Sequence, residues 1–146
     1  PLCHSEQAGV FDVRDCARWA ASENFYPRKY QIVTDSGTLA TVNEAFDVTL
    51  FMQSGRISTH GLRFNGVLYS LEEKKQLPGR IYRLRASGHA KLTSGEEASG
   101  RRLAIGLHMA RSVRTIIIAT HAREQSGDVC RDSVEALTLF LADNAI

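Results

Sequence analysis

Apolar residues fall in short runs separated by polar, glycine-bearing turns, and the clearest unit lies at the C-terminal end. Ile116, Ile117 and Ile118 place three branched apolar side chains in succession. A strand with one wet face would alternate, so this run predicts a strand buried on both faces. Polar residues 123–127 form a turn, and a helical period takes over beyond it. Cys130, Val134, Leu137 and Leu141 recur at i, i+4, i+7 and i+11 as a core stripe. Asp128 stands in the first turn, where a carboxylate suits the exposed N–H groups and the dipole. At about 100° per residue, Leu139 falls opposite that stripe and Phe140 on its flank. Apolar side chains off the buried stripe point to a partner surface.

The same reading carries along the rest of the chain. Residues 1–10 form a flexible lead-in. Residues 12–24 form a helix with Asp12 placed to cap it and small core positions at Val13, Cys16, Ala17 and Ala20. Trp19 lies on the flank of that stripe, and Pro27 ends the segment. Residues 30–34 and 38–42 pair as a hairpin around Asp35-Ser36-Gly37. Residues 47–54 form a short helix with Val48, Leu50 and Phe51 apolar, followed by a loop over 55–61. Leu62 to Phe64 and Val67 to Leu71 flank Asn65-Gly66, the strongest short-range hairpin signal. A turn at Pro78-Gly79 leads into a strand over 80–85, whose one face carries Ile81, Arg83 and Arg85. Residues 87–100 form a polar loop or an extended hairpin, and 102–109 and 114–120 are two further strands. The pattern predicts a single α+β domain spanning 1–146. Its antiparallel meander sheet is covered by N- and C-terminal helices.

Composition narrows the function. With 146 residues, 43% hydrophobic and 23% charged, the chain suits one globular domain. A net charge of +2 is too small to argue for nucleic acid. No apolar run approaches the ~20 residues of a membrane span. Residues 1–10 lack the apolar centre of a secretory signal. Cys3, Cys16 and Cys130 are few and odd in number, which suits reduced thiols in the cytoplasm. His4, His60, His89, His108 and His121 are scattered, with no pair at i, i+4. Cys3-His4 offers two adjacent ligands, too few for a metal site. Cys130 and His121 suggest a thiol nucleophile only until Cys130 is placed on the buried stripe. No phosphate-binding glycine loop and no nucleophile elbow occur. The sequence therefore predicts a binding protein, not an enzyme, with no cofactor and no metal.

One family resemblance emerges. Gly61-Leu62-Arg63-Phe64-Asn65-Gly66-Val67-Leu68-Tyr69-Ser70-Leu71 resembles the profilin core signature. Glu72-Glu73, the Pro78-Gly79 turn and the basic strand over 80–85 follow in the family's order. The closing strand, turn and helix, with Cys130, Val134, Glu135, Leu137, Phe140 and Leu141, also look profilin-like. The hairpin around Asp35-Ser36-Gly37 resembles the family's first two strands. Three departures stand out: an insertion near 93–101, Leu68 in place of a frequent lysine, and Leu39-Ala40 where an aromatic usually follows the first turn.

The resemblance implies N- and C-terminal helices packed together on one face of the sheet, in a cytoplasmic, cytoskeleton-associated monomer that binds actin monomers and regulates filament assembly. It implies actin contacts from Tyr69, Arg80, Arg83, Arg85 and Arg131. It also implies a groove for proline-rich peptides, an extended ligand that docks on aromatic platforms; Phe11, Trp19, Leu139 and Phe140 are its candidates. Phosphoinositide head groups would meet the same arginines together with Arg101, Arg102, Arg111 and Arg114. Two other readings share the sheet-and-helix pattern. A longin- or roadblock-like scaffold would bind trafficking or GTPase partners and dimerise. A PAS-like sensor would hold an apolar cavity within the meander.

Overall fold

Where helical spacing of small residues predicts a first helix, the chain makes a β-hairpin. The computed structural model describes residues 6–76, 80–86, 104–123 and 125–146, with backbone alone for 72–76, 80–86 and 104. Strands β1 (Gln7–Asp12) and β2 (Arg18–Ala21) pair antiparallel, and β1 pairs along its full length with β9 (Thr115–Ala122). The flexible lead-in predicted through Val10 is therefore replaced from Gln7 onward by a strand. Asp12 does not cap a helix but closes a turn. Its carboxylate accepts the Arg14 backbone N–H at 2.8 Å, and its carbonyl accepts Cys16 N–H at 2.8 Å. Cys16 takes a φ of 60° there, outside the helical region. The ladder from Gln7↔Thr120 to Asp12↔Thr115 supplies long-range bonds that override the local helical preference of the alanines.

The main sheet has the order β2-β1-β9-β8-β7-β6-β5, antiparallel throughout, with β5 (Leu62–Phe64), β6 (Val67–Gln76), β7 (Arg80–Ala86) and β8 (Ala104–Arg111). The β5–β6 hairpin turns on Asn65 and Gly66, with φ of 53° and 83°. Both are left-handed, as a two-residue turn matched to strand twist requires. Strands β3 (Lys29–Val33) and β4 (Leu39–Asn43) form a separate two-stranded sheet. They are thus not the first hairpin of the main sheet, as the resemblance suggests; β1 and β2 are.

Helix α1 (Glu44–Ser54) begins three residues before the predicted one. Asn43 caps it by accepting the Phe46 N–H at 3.2 Å, and Gly55 ends it with φ 75°. Helix α2 (Gly127–Asp143) is capped by Ser126, which accepts the Val129 N–H at 3.2 Å. The α+β class and the antiparallel meander stand as predicted. The N-terminal helix predicted to pack with α2 is instead the β1–β2 hairpin, and α1, which matches the short helix predicted over 47–54, lies on the opposite face of the sheet from α2. Ile116 and Ile118 join Val48, Phe51 and Met52 of α1 in one core, while Ile117 and Ala119 join Cys130 and Val134 of α2 in another. The Ile116–Ile118 run is apolar because each of its two faces has a core to fill.

Glu44 ties three parts together on the α1 side. Fully buried, it accepts the Arg28 N–H at 2.7 Å, the Tyr30 hydroxyl at 2.8 Å and the Gly66 N–H at 2.9 Å. Burial raises its carboxyl above the ordinary range despite these bonds, and burial likewise raises the Tyr30 hydroxyl.

Candidate functional site

The surface that stands apart lies between α2 and the first hairpin. The α2 stripe is shifted by one position from its predicted line: Cys130, Val134 and Thr138 are buried, and Leu137 is not. Thr138 tolerates burial because its hydroxyl donates to the Val134 carbonyl at 2.7 Å. Leu137 instead turns toward β1 and β2. There it lines a groove of about 320 Å³ with Val10, Ala20, Ile117, Ala119 and Ser133. Small side chains at Ala8 and Ala20, on the same face as Val10, leave the sheet floor low, which creates the groove.

Phe140 is 63% exposed and, three positions beyond Leu137, shares its flank of α2. Trp19, next to the groove residue Ala20 on β2, is 45% exposed. Between Val10↔Ala20 and Phe11↔Arg18 the register shifts, leaving Trp19 as the extra residue of a β-bulge. Its indole N–H supports the Asp12 carboxylate, after the larger contribution of Arg14, and together they hold Asp12 well below the usual carboxylate range. Arg14 Nε and Nη2 donate to that carboxylate at 3.0 and 2.9 Å. The chain beyond α2 is tethered to the β8–β9 turn, since Ser112 Oγ donates to the Ile146 carbonyl at 2.7 Å and Arg114 N–H donates to it at 3.0 Å.

The other groove candidates fall elsewhere. Phe11 is fully buried and packs edge-on to Phe64 with ring centroids 5.5 Å apart, so it is a core residue and no platform. Leu139 is half-buried and about 200° around the helix from Leu137, away from the groove. Leu137 is the residue that the sequence pattern placed in the core and the structure places at the site. Its signal was the polar Thr138, whose hydroxyl can bond within its own helix turn.

Tyr69 is buried at 5% exposure in the α1-side core, where burial raises its hydroxyl well above the ordinary range. Its ring fills space under α1 and is closed to a partner, which corrects its placement at a contact surface. Arg80, Arg83 and Arg85 lie on β7, their side chains outside the described residues. By register Arg83 pairs with His108 and Arg85 with Gly106. Arg131, half-buried at the start of α2, donates to Asp132 Oδ1 at 3.3 Å through Nη2. Arg111 is half-buried and Arg114 exposed. Residues 93–101, and with them Arg101 and Arg102, lie outside the described residues.

Two comparisons with known proteins match this arrangement. The solved structures it resembles include Acanthamoeba castellanii profilin II, at a TM-score of 0.60 and 14% identity over 98% of this chain and 89% of that one. Mouse profilin IIa, solved in complex with a double repeat from the FH1 domain of mDia1, gives 0.59 and 15% over 99% and 93%. Rat profilin 2a gives 0.58 and 16% over 96% and 86%. No curated protein matches the chain by sequence. The family model described as Profilin matches residues 3–146, nearly the whole chain, and the chain therefore belongs to the profilin family.

Proposed function

We propose that this chain binds actin monomers and regulates filament assembly in the cytoplasm, by binding and without covalent chemistry. The observation that carries the reading is the family match across residues 3–146, since profilins are a non-enzymatic, actin-binding family. It displaces the scaffold and sensor readings of the sheet-and-helix pattern. The proposed actin surface joins β7 to the start of α2. Arg83 and Arg85 pair in register with His108 and Gly106 of β8, the strand on which α2 packs, so β7 and Arg131 border one region. Arginines on such a rim steer association and fix orientation more than they supply affinity. The test is assembly of purified actin monomers over a range of chain concentrations. The expected result is slower spontaneous assembly with co-migration of chain and monomer; no change in rate and no co-migration would end the reading.

A second binding mode has its own support. Trp19, next to the groove residue Ala20, and Phe140, one turn beyond Leu137, are exposed aromatics, and a proline-rich helix docks on such platforms. Mouse profilin IIa was solved with an FH1 repeat, and the same class of partner is proposed here. Trp19 is the single tryptophan, so its fluorescence reports occupancy of the groove directly. Trp19 also follows the first turn of the main sheet, where the sequence resemblance looked for an aromatic at Leu39-Ala40. Titration with a polyproline peptide should shift Trp19 emission, and Phe140→Ala should abolish the shift. Phosphoinositide binding is proposed through exposed Arg114 and its basic neighbours, to be read as sedimentation with anionic but not neutral vesicles. The proposed monomer is checked by light scattering after size exclusion.

A further inference from the structure

Beneath the N-terminal half of α2, three residues far apart in sequence converge. His108 of β8, His121 of β9 and Cys130 of α2 are all buried, and one ligand atom from each lies within 4.8 Å of the others. The imidazoles face each other, with His108 Nε2 and His121 Nδ1 at 2.8 Å and ring centroids 5.0 Å apart. Cys130 Sγ donates to the Thr120 carbonyl at 3.8 Å. The position of His121 depends on Gly106, its register partner across β8–β9. A side chain at 106 would overlap the imidazole and bring its Cβ within 2.9 Å of both ring nitrogens. The strand pair thus gives up a side chain to lay one histidine across toward the other.

We propose that His108, His121 and Cys130 form a binding site for a zinc-like divalent cation. Two imidazoles and a thiolate are the donor set that borderline and soft cations prefer over magnesium or calcium. The facing pair, His108 Nε2 and His121 Nδ1, supplies the nitrogens, and Cys130 Sγ the thiolate. With metal–nitrogen bonds near ~2.0 Å and metal–sulfur near ~2.3 Å, tetrahedral donors stand roughly 3.3–3.6 Å apart. The facing nitrogens, 2.8 Å apart, then open by about half an ångström, and the sulfur draws in to the same spacing. On binding, the Cys130 thiol loses its proton to solvent. The imidazole that donates in the His–His bond moves its proton to its other nitrogen, so both rings stay neutral and one proton is released per ion. Three protein ligands leave the fourth position to water.

The test uses the reduced, full chain titrated with Zn²⁺ and, in parallel, Co²⁺. Expected are one tightly held ion per chain, one proton released per ion at neutral pH, a rise in Tm, and a thiolate-to-cobalt charge-transfer band. Cys130→Ala removes that band. Gly106→Ala leaves every ligand in place but displaces His121, and should weaken binding by about 10–100-fold. Circular dichroism identifies any variant that has lost its fold, and His108→Gln, which keeps a neutral polar side chain, gives an independent loss of affinity. Cys3→Ser controls for Cys3-His4 and should leave binding unchanged. The proposal is overturned if the folded chain takes up no stoichiometric ion. It is also overturned if the charge-transfer band survives in Cys130→Ala and disappears in Cys3→Ser.

Discussion

The two faces of the main sheet are built by opposite rules. On the α1 face the strands present large side chains: Phe11, Phe64, Leu107, Met109, Ile116 and Ile118. Phe25 completes an aromatic cluster there, 5.0 Å from Phe64 and 6.2 Å from Phe11 between ring centroids. Gly9 is part of that packing, because a Cβ there would press into the Phe11 ring at 2.7 Å. On the α2 face the same strands present Ala8, Val10, Ala110, Ile117 and Ala119, with two histidines. Large interdigitating side chains exclude water and leave no room for a ligand. Small ones leave a groove along the first hairpin and a pocket of donors under the start of α2. One face stores stability, and the other carries the candidate binding chemistry.

Substitutions on the α1 face sharpen this contrast most. Phe64→Ala should cost about 3–5 kcal/mol, measured by denaturant unfolding, because its cavity cannot collapse between the two remaining rings. A cost as small on this face as on the other would erase the distinction. Glu44→Ala comes next, with an expected loss of about 1–3 kcal/mol, since it strands two backbone N–H groups and a hydroxyl. On the α2 face, Phe140→Ala should change unfolding free energy by no more than about 0.5 kcal/mol while abolishing the polyproline response.

The smallest effects are read from pH, and their signs oppose each other. Burial raises Glu44 above its ordinary value of 4.5, so the folded chain keeps a proton that the unfolded chain has released. That contribution is complete below the ordinary value and is lost as pH rises through the raised one; Glu44→Gln should flatten the slope. Asp12 is held below its ordinary value of 3.8 first by Arg14, so its contribution is present above that value and fades as pH falls. Asp12→Asn should remove that acid-side loss in urea melts at several pH values. Cys16, pushed up to about 12 by burial, should resist alkylation at neutral pH until the chain unfolds.

Much of this was decided by the sequence alone, wherever neighbouring residues carry the instruction. Asn65-Gly66 can take the left-handed turn that few other pairs allow, and the hairpin forms there. Three consecutive isoleucines require apolar surroundings on both sides, and β9 has them. Glycine, turn and tyrosine order around residues 61–71 was enough to indicate the family. The segment over 12–24 was misread because Val13, Cys16, Ala17 and Ala20 fall at helical spacing, whereas β2 is a strand only through its ladder to β1. Only the tertiary structure put α1 and α2 on opposite faces, because a helix's choice of face depends on which strands it meets. It alone moved Phe11 and Tyr69 into the core and Leu137 out to the groove. It also gathered His108, His121 and Cys130, whose meeting depends on β8–β9 register, on the missing side chain at Gly106 and on the seat of α2. Those are long-range contacts, and no local pattern in the chain encodes them.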